Sequence, residues 1–291
     1  MINFRYQILL LLTVTGLFYS GCSSIKGGKA SLNRPADIDL THWKVTIPTP
    51  RDDGKAMEVS PPEIFDYQNI DVLKKFMYAD STDASIVFHA EPGSTTANTK
   101  YSRSELREQM VSGSNSTNWT FPEGRRMKFT MAIDNVSNGT NGKHHRMIIA
   151  QIHGRLSNEQ KELIGQKDNN APPVLKIYYQ ENKIYVRTKV LKNRFVDDRR
   201  MLMKDAWEDD RGYYFDRRIE RNDKFTLEII ASDGKLEIIL DEWDRKVYES
   251  EDLKKWGAFE NYYKVGNYLQ TRDKWAFGSV KIFDLEVGNL E

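Results

Sequence analysis

The feature that most constrains this chain is alternation. In "RRMKFTMAIDNV" (125–136), Met127, Phe129, Met131 and Ile133 fall at every second position, the period of a strand with one buried face. "KFTLEIIASDGKLEIILDEW" (224–243) carries two such runs joined by Asp233-Gly234, a strong hairpin signal. "VLKIYYQENKIYVRTKV" (174–190) reads as two strands around a short turn, and "WAFGSVKIFDLEVG" (275–288) as a closing strand. Helical periodicity is confined to short candidates at 61–76 and 249–259. Half-buried strands without helices to cover them must bury their apolar faces against one another. The expected fold is therefore all-β, a two-sheet antiparallel sandwich of the β-jelly roll kind. No linker divides residues 37–291, so they are expected to form one domain.

Charge narrows the partners. With 43 basic and 42 acidic residues, the chain has no global field to hold nucleic acid or an anionic membrane. An anionic ligand needs a local basic site. Arg5 precedes the apolar run "ILLLLTVTGLFY" (8–19), which is too short to span a bilayer comfortably. "SGCSS" follows, with the only cysteine, Cys22. This arrangement resembles a bacterial lipoprotein signal. It implies a signal peptide over 1–21, lipidation of Cys22, a polar tether over 22–36, and an exported lipoprotein anchored at the outer membrane or cell surface. Tyr19 stands where such signals tend to carry Leu, so an ordinary cleaved signal and a periplasmic or secreted protein is the alternative. A buried cysteine in a core helix fits less well, because nothing amphipathic follows. One cysteine allows no internal disulfide. Residues 155–173 and 192–222 are polar or charge-rich and read as long connections, either binding loops or solvated insertions.

Three segments carry chemistry. If "YSRSELREQ" (101–109) is a strand, Arg103, Glu105, Arg107 and Gln109 share one face, a poor core surface. In "HRMIIAQIHG" (145–154), Gln151 and His153 are neighbours on one face at the end of an apolar strand. In "YYKVGNYLQ" (262–270), Tyr262, Lys264, Gly266, Tyr268 and Gln270 share one face. Each strand alone reads equally as the solvated side of an antiparallel sheet. Together they offer cations, amides, a histidine and tyrosines, a surface suited to an extended acidic sugar chain.

"RSELR" (103–107), "QIH" (151–153) and "YYKVGNYLQ" (262–270) resemble, in order, the three motifs of the polysaccharide lyase family 7 alginate lyases. One departure is Val265, where the family usually has Ala; it lies on the face opposite Lys264 and Tyr268. The resemblance spans residues 37–291 and implies a jelly roll with its substrate groove on the concave sheet. It also implies β-elimination on alginate or its oligosaccharides, which removes the C5 proton and expels the C4 oxygen. On this reading Arg103 and Gln151 neutralise the substrate carboxylate, and His153 and Tyr268 are base and acid. For mannuronate, Tyr268 would serve both roles. Glu105 orients the two arginines, and Arg107, Tyr262, Lys264 and Gln270 hold neighbouring uronates. Ile152 in the Gln-x-His motif points to guluronate-containing substrates. Residues 155–173 and 192–222, with Trp207, Tyr213 and Tyr214, could wall the groove and favour exolytic cutting, with endolytic cutting as the alternative.

No cofactor is expected, and a monomer is. His144, His145 and His153 lack metal-ligand spacing with a carboxylate partner, so no metal is expected. Two other functions compete. A non-catalytic acidic-polysaccharide-binding module would need the basic aromatic face but not His153 with Tyr268. A glycoside hydrolase would need two spaced carboxylates, and these strands offer only Glu105.

Overall fold

The alternating segments pair into two antiparallel sheets. The computed structural model describes residues 36–290; the signal segment, Cys22 and all but the last residue of the tether lie outside them. In chain order the strands are β1 (Trp43–Pro50), β2 (Ala56–Val59), β3 (Met77–Asp80), β4 (Ser85–Ala90), β5 (Arg103–Glu108), β6 (Arg125–Val136), β7 (Met147–Arg155) and β8 (Asn170–Gln180). They continue as β9 (Lys183–Leu191), β10 (Trp207–Asp209), β11 (Tyr213–Arg218), β12 (Lys224–Ser232), β13 (Lys235–Leu240), β14 (Asp244–Glu249), β15 (Glu260–Leu269) and β16 (Gly278–Gly288). Three short helices intervene: α1 (Asn158–Leu163), α2 (Asp198–Met201) and α3 (Glu251–Trp256). One sheet runs β10-β9-β8-β7-β15-β5-β1-β2, with β11 also paired to β9; the other runs β14-β13-β12-β6-β16-β4-β3. This is the expected β-jelly roll.

The core lies between the sheets. Met127, Phe129 and Met131 of β6 meet Ile149 and Ile152 of β7 and Val265 of β15 there, all buried. Tyr263 is buried among them, and its hydroxyl donates to the Arg125 and Ile229 carbonyls at 2.9 and 3.1 Å. Glu108 points to the same side and accepts from Arg125 Nη2 at 2.8 Å, Trp119 Nε1 at 3.0 Å and the Tyr263 amide at 2.9 Å. A buried carboxylate is tolerated because its oxygens are met by donors.

Several expectations change in detail. The 61–76 segment forms no α-helix, only a 3₁₀ turn, Glu63–Asp66, followed by further turns, and still buries Ile64, Tyr67, Leu73 and Phe76. The 249–259 candidate is α3, capped by Ser250, whose side chain accepts from the Leu253 amide. β8 begins at Asn170 and runs through Pro172 and Pro173, residues the sequence assigns to a connection. Register shifts flank the His153–Pro173 pair, and a bulge is where a strand accommodates proline. The β8–β9 turn is Glu181-Asn182 with φ of 53° and 60°, the left-handed pair that a two-residue hairpin needs.

Candidate active site

β15 lies between β5 and β7, which brings the three motifs side by side. Lys264 pairs with Arg107 on one flank and Gln151 on the other, Tyr262 pairs with His153, and Tyr268 with Arg103. The polar face of "RSELRE" is therefore the floor of a groove, and all six of its residues are buried.

Glu105 anchors the floor. It is fully buried and accepts from Arg103 Nη1 at 2.8 Å and Gln151 Nε2 at 2.5 Å, and it pairs with Lys264 Nζ. Burial alone would raise its pKa; the charges of Lys264 and Arg103 prevail and lower it. Glu105 does not reach Arg107, contrary to the expectation that it orients both arginines. Arg107 donates instead to the Glu108 carbonyl at 2.7 Å and Asn118 Oδ1 at 2.9 Å, and its guanidinium lies 4.0 Å from the Tyr262 ring centre. The Arg103 guanidinium sits 3.8 Å from the Tyr268 ring centre. Its Nε is buried with no hydrogen-bond partner among the described residues.

His153 is held from two sides. Its ring stacks on Tyr262 at 5.3 Å and 13°, and Nδ1 lies 3.0 Å from the Gly154 carbonyl oxygen. A carbonyl only accepts, so Nδ1 carries the proton and Nε2 keeps its lone pair. Burial, followed by the charge of Lys264, pushes the pKa of His153 down to about 3, so the ring is neutral. Burial, followed by Arg103, pushes Lys264 down to about 8 despite Glu105. The Tyr268 hydroxyl is raised by burial and pulled back by Arg103, so it remains protonated near neutrality.

Arg103, Gln151, His153, Tyr268 and Gln270 line one cavity of about 300 Å³. Gln270 lies just past β15, where its Nε2 donates to the Tyr268 carbonyl at 3.2 Å. A second cavity of about 320 Å³ shares Arg103 and His153 and adds Arg107, Tyr262 and Lys264. Every residue predicted for the groove except Glu105 thus lines one of two adjoining spaces, and Glu105 lies beneath as the anchor. Lys44, Thr46 and Glu58 also line the second space, and sequence reasoning missed them. Lys44 pairs with Glu58 at 2.7 Å. The signal was available: in "WKVTI" (43–47), Lys44 and Thr46 alternate with buried Trp43, Val45 and Ile47.

The long connections are more ordered than expected. Residues 155–173 contain α1, and Asn169 and Asn170 line the groove. Asp168 there accepts from Asn98 at 3.0 Å. Residues 192–222 contain α2, β10 and β11. Trp207 is no groove wall: it is buried, 4.7 Å from Trp256, and donates to the Met201 carbonyl at 2.7 Å. Tyr213 packs edge-on against Phe215 at 5.2 Å. Of the three aromatics, only Tyr214 is exposed.

A jelly roll whose concave face sets a neutral histidine and a protonated tyrosine around an anchored arginine belongs to the class of enzymes acting on acidic polysaccharides. The comparisons narrow this to one family. Residues 38–289 match the family model described as Alginate lyase, and the chain belongs to that family of polysaccharide lyases. It is 26% identical over 287 residues to an alginate lyase of Klebsiella pneumoniae, covering 84% of this chain and 87% of that one. Alginate lyase A1-II', a member of polysaccharide lyase family 7, aligns with TM-score 0.67 and 25% identity over 87% of this chain and 96% of its own. A variant of that lyase with one histidine changed to asparagine and one tyrosine to phenylalanine, in complex with substrate (GGMG), aligns with TM-score 0.68, 25% identity and coverage of 88% and 96%. An alginate lyase of Pseudomonas aeruginosa shares the fold at TM-score 0.64 and 24% identity, over 87% of this chain and all of that one.

Proposed function

We propose that this alginate lyase cleaves by β-elimination with His153 as base and Tyr268 as acid. The observation that carries the reading is the state of His153: neutral, with Nδ1 committed to Gly154 and the Nε2 lone pair left for a proton. The C5 proton is weakly acidic because the adjacent carboxylate is negative. Arg103, through the charge of its guanidinium at the cavity wall, and Gln151, through its second amide hydrogen, stabilise the charge that moves onto that carboxylate. Tyr268 then protonates the departing C4 oxygen. Arg107, Tyr262, Lys264 and Gln270 hold the neighbouring uronates, while Glu105 fixes Arg103, Gln151 and Lys264. The relative seen in a substrate complex bears substitutions of one histidine and one tyrosine, the two residue types assigned base and acid here.

Incubation with alginate, read by the ultraviolet absorbance of the conjugated unsaturated uronate, tests the reaction. Hydrolysis and simple binding leave no such signal. His153→Ala and Tyr268→Phe should each lose on the order of 10²–10⁴-fold in turnover while remaining folded. A folded variant that keeps more than about a tenth of the wild-type rate removes that residue from acid–base duty.

Guluronate-containing blocks are the preferred substrate on this reading, because proton removal and leaving-group protonation on guluronate occur on opposite faces of the sugar and call for two separate groups. Ile152 supports the preference only by resemblance, since its side chain is in the core. Exolytic cutting is the proposed mode, supported by the 155–173 connection, whose Asn169 and Asn170 line the groove and whose Asp168 accepts from Asn98; endolytic cutting is the alternative, since Trp207 builds no wall. Initial rates on separated blocks, and viscosity followed against new double bonds, test the two points. Residues 1–21 as a cleaved lipoprotein signal, Cys22 as the lipidated residue, 22–36 as a tether and a monomeric enzyme held at the cell surface complete the proposal. Fatty-acid labelling that survives Cys22→Ala would remove the anchor from it.

A further inference from the structure

We propose that a row of tyrosines, Tyr178, Tyr185 and Tyr214, forms with Arg146 a distal binding platform for the polyuronate chain, extending the groove away from the reacting bond. The proposal rests on the lyase reading and deepens it.

The row follows from register. Arg103 pairs with Tyr268, Tyr268 with Ile148, Ile148 with Tyr178, Tyr178 with Tyr185, and Tyr185 with Tyr214. One cross-strand line thus leads from the catalytic arginine over β15, β7, β8 and β9 to β11. Strands lie about 4.8 Å apart, so Tyr214 stands roughly 19 Å from Tyr268 along the sheet. On β8 and β9, Tyr178 and Tyr185 alternate with Ile177, Ile184 and Val186, which are buried in the core. All three tyrosines therefore share the groove's side of the sheet. Tyr178 lines the same cavity as Tyr268.

The rings are braced. Tyr178 and Tyr185 lie 5.8 Å apart, and Tyr185 stacks on Tyr214 at 4.3 Å and 27°. Gln180 Nε2 donates to the Tyr214 hydroxyl at 2.6 Å. Tyr178 is only 4% exposed and serves as the buried support of the row, while Tyr214, braced on one face, keeps exposed ring surface on which a sugar settles at little entropic cost. Tyr214 is 37% exposed and closes no core. Charge fits the same occupant. The exposed Arg146 guanidinium lies 4.8 Å from the Tyr178 ring centre and has no carboxylate partner among the described residues. Its backbone carbonyl accepts from the Gln270 amide at 2.9 Å, which ties it to the end of the site. A cation held over an aromatic row at the exit of a basic groove suits a chain bearing one carboxylate per sugar.

The test compares chain lengths. kcat/KM is measured for wild type, Tyr214→Ala, Tyr214→Phe and Arg146→Ala on long alginate and on an unsaturated trisaccharide-sized fragment, with thermal melts for each variant. For the polymer, Tyr214→Ala and Arg146→Ala should each lower kcat/KM roughly tenfold through KM, and Tyr214→Phe should behave as wild type. The same two variants should show a selective loss: the ratio of polymer to short-fragment kcat/KM falls with them. Calorimetric binding of the polymer should weaken in parallel. An unchanged ratio, whether because both substrates suffer equally or because neither does, overturns the platform. Wild-type protein that yields no unsaturated product would instead refute the lyase reading, and the calorimetric arm would still decide whether Tyr214 and Arg146 hold a polyuronate.

Discussion

His153 and Tyr262 stack with their ring centres 5.3 Å apart and their planes within 13°, and the Arg107 guanidinium lies 4.0 Å from the centre of the same tyrosine ring. Tyr262 is thus the surface against which the proposed base is oriented. Tyr262→Phe keeps the ring and should retain most activity. Tyr262→Ala frees the imidazole and should lower kcat by about 10–10²-fold, since small misplacements of a reacting group cost this much. Steady-state kinetics on the two variants checks this; equal effects would mean that the hydroxyl, not the stack, matters.

The alkaline side of the activity profile should belong to Lys264. Its folded pKa is about 8, against an ordinary 10.5. Above pH 8 the folded protein loses the proton while the unfolded chain keeps it, so the unfolded state binds more protons and stability rises through this window. KM should therefore rise above pH 8 with no fall in melting temperature from this group. Lys264→Arg should move that limb upward. A KM rise that tracks unfolding would reject the assignment.

On the acid side, His153 should produce no activity limb near its ordinary value of 6.5, because its folded pKa is about 3. The unfolded chain takes up the proton first, so this group lowers stability as pH falls below 6.5. Thermal melts of wild type and His153→Gln across that range should converge toward low pH. A kcat/KM limb centred near 6.5 that disappears in a Lys264-independent manner would place the titrating base elsewhere.

Glu105→Gln should do double damage. Arg103 and Lys264 would lose their shared buried counter-charge, and breaking such a pair from one side costs about 3–5 kcal/mol. Lys264 would also lose the carboxylate that raises its pKa, so any residual activity should have its alkaline limb below 8. Denaturant melts and a pH profile read the two effects separately.

Gly266→Ala should disturb the site without touching substrate. Gly266 has φ of +137°, and an added Cβ would lie 2.8 Å from the Ser104 carbonyl oxygen and 3.0 Å from the Glu105 Cα. Strain of about 1–3 kcal/mol is expected, and relief by moving β5 would shift Glu105. Lower melting temperature together with lower kcat is the predicted pair of outcomes.

Much of this was legible because strands write their faces into the sequence. Met127, Phe129 and Met131 alternate and are core; Arg103, Glu105 and Arg107 alternate and are groove. What alternation cannot state is the partner. Lys44 has the right period, yet only the β1–β5 pairing sets it beside Arg107. Glu105 was legible as a groove residue, while its choice of Lys264 over Arg107 depended on side-chain reach across β15. Trp207 was misplaced because a tryptophan among charges looks exposed; contact with Trp256, distant in sequence, decides its burial. The continuation of β8 through two prolines was hidden because tolerance for proline comes from the bulges beside it.

The cross-strand line from Arg103 to Tyr214 also sets how this enzyme can be altered. Its members occupy successive strands, so their spacing is fixed by the hydrogen-bond ladder. Insertions between strands leave that spacing intact, and whole loops can be exchanged around it. One residue inserted within β15 between Tyr262 and Lys264 would reverse the facing of all that follows, sending Lys264 and Tyr268 toward the core and Val265 into the groove. Length variation should therefore be easy to engineer at the rims and forbidden along the ladder.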